Sequence, residues 1–368
     1  MLDRKDISAK TFSHFDWMIV LSTAPIVLMS ILLIFEIESV STTKQLIYIA
    51  FTLIISAIIF LLPLRKMLWL IPAFYWGSIA LLVSVEFIGI DKFGAKRWLE
   101  VPFIGMSLQP SEIIKVALFL MLAYNIHNNP PPQEGYGFKD VLKHSFFILL
   151  PVVLVKIQPD LGTSILIFIC GYSVLFLVGI HKKIILLGVG ALILSMPIFY
   201  LTLKDYQLQR IESLINPSAT ASNTYQVEQS LIAIGSGGLA GKGSQDATQY
   251  QLKFLPVPES DFIFAYFCER YGFLGGAFLI VCYGVLILQL LSLSYQHRKD
   301  KILQVLCASV GFLIFIHISV NTLMVMKLAP VVGIPLPFFS YGGSSFLTFG
   351  ILFAILQNLI AFKYNFRV

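Results

Sequence analysis

The chain is expected to fold as an all-α polytopic membrane protein of about ten transmembrane helices, and three observations carry that expectation. Hydrophobic residues fill 57% of the 368 positions and charged residues only 12%, a balance that a soluble domain of this size does not sustain. Apolar runs close to the ~20 residues that span a hydrocarbon core as a helix recur along the whole sequence. Lys and Arg gather in the short segments that separate alternate runs, as the orientation bias of membrane helices requires.

In chain order the expected spans lie near 16–36, 46–63, 67–87, 110–126, 142–157, 160–179, 184–202, 262–292, 304–327 and 344–362. The first apolar run, Trp17 to Phe35, has spanning length and no small-residue cleavage site behind it, so it reads as a span and not as a removable signal. The fifth is the weakest, shortened by Pro151 and Lys156, and the charges arbitrate. With both termini cytoplasmic, the inner segments hold Arg4, Lys5, Lys10, Arg65, Lys66, Lys139, Lys143, Lys182, Lys183, Arg298, Lys299, Lys301, Lys363 and Arg367. Deleting the fifth span would turn His181-Lys182-Lys183 and the Gln296–Lys301 loop outward, against the bias. The chain is therefore read as a single integral membrane domain over 1–368, with one large extracytoplasmic loop of about 202–261 between spans seven and eight.

The net charge of +6 follows from basic cytoplasmic loops and does not call for nucleic acid. Cys170, Cys268, Cys282 and Cys307 sit inside apolar runs without paired spacing, which argues for packing roles and against a disulfide framework or a zinc site.

Two outward features remain, a loop from about Gly89 to Gln109 and the insertion of about 202–261. Loops of such length are usually functional or disordered, and the second is too rich in Tyr206, Ile211, Leu214, Tyr225, Leu252 and Phe254 for disorder. It is expected to be an ordered cover over a substrate, with Ser230–Ile234 as a short interfacial helix.

Three carboxylates then fall at one depth: Glu112 opens the fourth span, Asp160 the sixth and Asp261 the eighth, all on helices running inward. A proline followed by an acid is also an ordinary helix start, stabilised by the helix dipole at about 0.3–1 kcal/mol, and for Asp160 that reading has equal weight. Glu112 has Lys115 three residues on, which suits an internal ion pair. Both residues are costly enough within the membrane to suggest a functional role. Asp261, where the polar insertion meets a new apolar span, is the foremost catalytic candidate, because it can face a polar substrate and a lipid together.

Outer basic residues also need a reason, since the orientation rule predicts few of them there. Lys96 and Arg97 precede Trp98, an interfacial anchor. A guanidinium at headgroup depth suits a pyrophosphate, the reading favoured for Arg97 over ordinary phospholipid headgroup contact. Arg210, Lys242 and Lys253 invite the same two readings. The run Ile234-Gly-Ser-Gly-Gly-Leu-Ala-Gly-Lys-Gly243 could form an anion-binding nest or a simple turn. It lacks the spacing of a phosphate-binding P-loop. The segment Pro330–Ser345 holds too many Pro and Gly residues to be helical and is read as a cavity wall including Ser340, with Asn321 facing it. His317 is expected to be a packing residue, and Glu269 with Arg270 a structural ion pair.

Read together, Gly94-Ala-Lys-Arg-Trp98, Gln109-Pro-Ser-Glu-Ile-Ile-Lys115, Gln158-Pro-Asp-Leu-Gly-Thr-Ser164, Tyr225-Gln, Ile232-Ala-Ile-Gly-Ser-Gly-Gly238, Asp261-Phe-Ile-Phe264 and Gly333-Ile-Pro-Leu-Pro-Phe-Phe-Ser-Tyr-Gly-Gly343 resemble the SEDS (shape, elongation, division and sporulation) family. The compact length and short amino terminus are most similar to its rod-shape elongation members. The resemblance implies a glycosyltransferase that polymerises lipid II, the undecaprenyl-pyrophosphate-linked disaccharide peptide, into peptidoglycan at the outer face of the bacterial inner membrane. It assigns Asp261 as the essential aspartate, Glu112 and Lys115 as the polar pair of the fourth span, Asp160 as the second acidic position and Arg97 as the arginine of the first outer loop. Arg270 departs from the pattern, which places an acid there. A class B penicillin-binding protein transpeptidase and the cytoskeletal elongation machinery are the implied partners.

The chemistry agrees with that assignment. Joining a sugar hydroxyl to an anomeric carbon that bears a pyrophosphate needs a base for the hydroxyl and positive charge for the leaving group. Asp261 supplies the first, directly or while holding Mg²⁺ or Mn²⁺, and Arg97, with Lys115 or Lys242, the second. A lipid II flippase and a non-catalytic scaffold of a wall-synthesis complex are the alternative readings. The acids at one face instead of the midplane weigh against the flippase.

Overall fold

The structure, a computed structural model, describes residues 15–37, 39–92, 95–101, 106–203, 207–208, 221–243, 247 and 259–362. Arg210, Lys253, Gly94, the stretch 254–258 and the basic residues of both termini lie outside the described residues.

Every predicted span is helical: α1 (Trp17–Ile37), α2 (Ser39–Leu61), α3 (Ile71–Ile88), α4 (Pro110–Asn128), α5 (Phe138–Ile157), α6 (Leu161–Val178), α7 (Lys182–Leu201), α9 (Ile263–Gln296), α10 (Lys301–Val325) and α11 (Gly343–Ala361). A further helix, α8 (Ala221–Ser236), lies within the insertion and extends well beyond the five residues expected to be helical there. Among the described residues, seven helices are long and apolar enough to cross a membrane. Large apolar side chains such as Phe87, Leu194 and Leu201 are about 80% exposed, as a surface that meets lipid requires. The chain is thus an all-α multi-pass membrane protein in its main architecture.

One feature departs from the all-helical expectation. The first outer loop folds into a small antiparallel sheet, β1 (Ile90–Lys92), β2 (Ala95–Val101) and β3 (Met106–Leu108), with Asp91 opposite Lys96 and Leu99 opposite Leu108. Along β2 Lys96 and Glu100 are exposed while Arg97, Trp98 and Leu99 between them are half-buried, and the strand sets the backbone that carries Arg97.

Polar side chains tie the bundle at two ends. At one end Asp16 and Gln357 exchange hydrogen bonds, Asp16 N–H to Oε1 at 3.1 Å and Nε2 to the Asp16 carbonyl at 2.7 Å. Nearby, Arg65 donates to Asp300 at 2.6 Å and to the Leu359 carbonyl at 3.0 Å. Asn358 donates to the carbonyls that close α2. The opposite end gathers the starts of α4, α6, α9 and α11. Pro110 occupies the first turn of α4, where its missing N–H costs nothing. Asp160 caps α6 by accepting the Thr163 N–H at 3.3 Å.

The eighth predicted span is not one continuous helix. Gly272 breaks α9 with φ +67° and ψ −167°, a conformation that favours glycine. The broken ladder is completed from the glycine-rich run. Lys242 N–H bonds the Glu269 carbonyl at 3.0 Å, Phe273 N–H that of Gly238 at 2.8 Å and Leu274 N–H that of Leu239 at 3.1 Å.

Candidate functional site at the head of α9

Asp261 stands in the turn that enters α9, and two other segments hold it. Asn321 of α10, fully buried, donates through Nδ2 to the Asp261 carbonyl at 2.9 Å and to the Ile334 carbonyl at 2.8 Å. One amide therefore fixes the aspartate backbone and the non-helical 326–342 segment to the same helix. One turn earlier on α10, the buried His317 ring contacts the Pro335 carbonyl through Nδ1 at 2.8 Å and packs edge-on against Phe349. Tyr341 N–H bonds the Glu259 carbonyl at 2.8 Å. Between these ties Gly333 adopts φ +71°, and a Cβ built there would stand 3.2 Å from Asp261 Oδ2. The backbone thus forms a wall directly against the carboxylate.

The segment after α10 is non-helical, as its Pro and Gly content predicts. Ser340 does not face Asp261 as a free hydroxyl. Its Oγ accepts the Leu336 N–H at 2.8 Å and closes the Leu336–Ser340 turn. Asn321 likewise uses its amide nitrogen on backbone, and only Oδ1 is left without a partner while buried.

The second group sits on α4 and α6. Lys115 Nζ donates to Glu112 Oε1 at 2.7 Å with both side chains buried, the i, i+3 pair the sequence predicts. The other carboxylate oxygen, Oε2, is buried without a partner, a demanding arrangement for a charge. Asp160 is both cap and crosslink, since Oδ2 accepts Gln109 Nε2 at 3.2 Å. Gln109 N–H in turn donates to Ser344 Oγ at 3.2 Å, at the start of α11. The helix-start reading of Asp160 is therefore realised, with the crosslink added to it. The two groups meet through Gly162, where a Cβ would overlap Val332, the residue before Gly333.

Arg97 reaches this end from β2. Its Nε donates to the Gln158 carbonyl at 3.3 Å and its terminal nitrogen to that of Pro159, so the guanidinium is fixed beside Asp160 with donors to spare. Lys242 is half-buried and lies at the turn docked on α9. In the glycine-rich run the N–H groups of Gly241 and Lys242 already bond the Gly237 and Glu269 carbonyls, and the carbonyls of Gly238 and Leu239 accept from α9, so the run serves as a turn docked on that helix. At Gly237 and Gly241 an added Cβ would overlap the carbonyls of Cys268 and Arg270.

Glu269 and Arg270 do not pair with each other. Successive helical residues diverge in direction, and Arg270 instead grips Glu36 at the end of α1, Nε to Oε2 at 2.9 Å and the terminal nitrogen to Oε1 at 3.2 Å. Glu269 is fully buried. The sequence reading did not use Glu36, although a lone acid closing an apolar span was a usable signal. Gln109 and Gly333 were also missed as site residues, despite standing within the quoted motifs.

The arrangement offers one carboxylate at a polar and apolar boundary, a fixed guanidinium and a buried ammonium at the same bundle end. The model of the FTSW_RODA_SPOVE family of cell cycle proteins matches residues 9–365. Peptidoglycan glycosyltransferase MrdB of Helicobacter pylori is 46% identical over 360 residues, 98% of this chain and 93% of the relative. Among solved structures, a peptidoglycan synthase complex described as coordinating polymerization and crosslinking contains a chain that superposes with TM-score 0.82 at 24% identity, covering 95% of this chain and 98% of that one. The Thermus thermophilus rod shape determining protein RodA superposes with TM-score 0.70 at 23% identity over the same shares. These two likenesses establish the fold.

Proposed function

Because the chain belongs to the FtsW, RodA and SpoVE family of cell cycle proteins, the family the motifs resembled, we infer that it is a peptidoglycan glycosyltransferase that polymerises lipid II during cell elongation. The observation that carries this reading is near-full-length likeness to a peptidoglycan glycosyltransferase, MrdB. The enzyme is a multi-pass protein of the bacterial inner membrane. Ten crossings with both termini in the cytoplasm are supported by the ten helices of 18 to 34 residues and by the basic residues in alternate segments between them. That topology turns Asp261, Asp160, Glu112 and Arg97 outward, to the face where lipid II headgroups meet water.

In this reading Asp261 accepts the proton of the acceptor N-acetylglucosamine 4-hydroxyl. The hydroxyl oxygen forms its bond to the donor anomeric carbon, and the bond to undecaprenyl pyrophosphate breaks with its electron pair leaving on the pyrophosphate. A single displacement inverts the anomeric centre. The spare Arg97 donors, with Lys115 and Lys242, stabilise the departing charge. Asn321 and Ser340 serve by holding backbone, so substrate is bounded by the wall they build.

A divalent cation, Mg²⁺ or Mn²⁺, would supply further neutralisation of the pyrophosphate. Among the described residues no three His, Cys, Asp or Glu side chains are grouped to hold a metal. The donors present suit a cation shared between Asp261 and substrate oxygens, since hard cations bind such oxygens and keep several waters. The likeness to a chain of a peptidoglycan synthase complex supports a class B penicillin-binding protein as partner.

The test is polymerisation of labelled lipid II by purified protein in liposomes, alone and with its transpeptidase, for native protein and Asp261→Asn. Glycan ladders from the native protein that vanish in the variant are expected. No ladders in any state from folded protein with its partner would reject the enzyme and leave translocation of lipid II, or a scaffold, as the reading to assay.

A further inference from the structure

The ion pair between Glu36 and Arg270 joins the parts of the bundle that set where Asp261 stands. The first segment of α9, Ile263 to Glu269, is buried at every residue, so its position is dictated by what packs on it. It ends at the Gly272 break, where the N–H groups of Phe273 and Leu274 bond the glycine-rich run. Arg270 stands at that break. Besides gripping Glu36, it donates to the Lys242 carbonyl at 3.0 Å, and its guanidinium lies over the Tyr271 ring at 5.1 Å. Three segments distant in sequence, the end of α1, the glycine-rich turn and the head of α9, therefore meet on one planar cation that is only 20% exposed, with Glu36 at 25%.

We propose that Glu36 and Arg270 are positioning residues of the polymerase, fixing the first segment of α9 and the Lys242 turn relative to α1 so that Asp261 and Lys242 face one substrate. The proposal rests on the glycosyltransferase reading above. The fork of Arg270 matches a carboxylate on one side and a carbonyl on the other, which a point-charge ammonium does not reproduce. The proposal also accounts for the departure at Arg270. An acid there would stand against Glu36, whereas the arginine makes the contact attractive. The pair is a local solution available because α1 ends in Glu36.

The test compares native protein with Glu36→Arg, Arg270→Glu and the double exchange, in the same liposome assay with the transpeptidase present. Each single exchange is expected to lower kcat by about ten-fold or more, as sub-ångström misplacement of a reacting group does, with a smaller change in KM for lipid II. The double exchange is expected to recover most of the loss. Arg270→Lys, which leaves folding least disturbed, is expected to keep KM and lose part of kcat. Hydrogen exchange of residues 237–242 and 263–271 provides a readout independent of turnover. Exchange should quicken in both single variants and slow again in the double. Native turnover in the singles, or folded variants whose exchange and kcat are not restored by the double, overturns the proposal. A native protein without polymer product rejects the enzyme reading instead, and the exchange data still decide whether the pair fixes these segments.

Discussion

Replacing Gly333 by Ala tests the wall against Asp261 with a single methyl. At φ +71° an alanine pays about 1–2 kcal/mol for the left-handed backbone. The methyl would also stand 3.2 Å from Asp261 Oδ2, tighter than ordinary contact, so the carboxylate must withdraw by a few tenths of an ångström. Because Asn321 pins the Asp261 backbone, the withdrawal falls on the side chain that carries the chemistry. A kcat loss of about ten- to a hundred-fold is expected from such a displacement. The control is Gly179→Ala, with φ +111° and its nearest neighbour 4.0 Å from the built Cβ. It lies beyond the C-terminus of α6, roughly 28 Å from Asp160 at 1.5 Å per residue. It pays a comparable backbone cost, about 1–3 kcal/mol, without touching the site. Steady-state polymerisation and thermal unfolding in the same detergent give both quantities. Gly333→Ala with native turnover, or Gly179→Ala with an equal loss of turnover, would refute the reasoning.

Further outcomes follow from the same geometry. Asn321→Ala removes the amide donor shared by the Asp261 and Ile334 carbonyls, at about 1–3 kcal/mol, so unfolding temperature and polymerisation should fall together; Asn321→Asp, which turns an acceptor toward two carbonyls, should be no better. Glu112→Gln or Lys115→Met alone should cost about 3–5 kcal/mol by stranding a buried charge. The double variant should regain much of that in denaturant titration while remaining inactive on lipid II. Gly241→Ala should fail to accumulate as folded protein, because its methyl would overlap the Arg270 carbonyl; folded yield by size-exclusion in detergent measures it.

Much of the architecture was legible in the sequence because burial in lipid is written into each helix separately. A run such as Ile302–Val325 announces a span whatever it packs against, and even the doubtful fifth run, with Pro151 and Lys156, is one helix over Phe138–Ile157. The site was legible in part for a similar reason. A proline and an acid at a helix start are local signals: Glu112 lies in the first turn of α4 and Asp160 caps α6, while Asp261 stands in the turn just before α9. The Glu112–Lys115 pair followed from i, i+3 spacing alone. The sheet of the first outer loop was missed because strands of three and seven residues give too few alternations to separate from a polar loop.

What escaped the sequence is the set of contacts whose partners are far apart in the chain, and the glycine-rich run shows why. Glycines are equally suited to a nest for an anion, a turn, or a close approach of two backbones, so Gly235–Gly243 alone cannot choose. The choice is made by the break in α9. Once Gly272 leaves the helical region, the carbonyl of Glu269 and the N–H groups of Phe273 and Leu274 need partners in an apolar setting. The run supplies them, and it can approach closely enough only where it has no Cβ. Arg270 is placed by the same kind of distant contact. Local sequence pairs it with Glu269, but successive helical residues diverge in direction, and its partner is Glu36, 234 residues upstream at the end of α1.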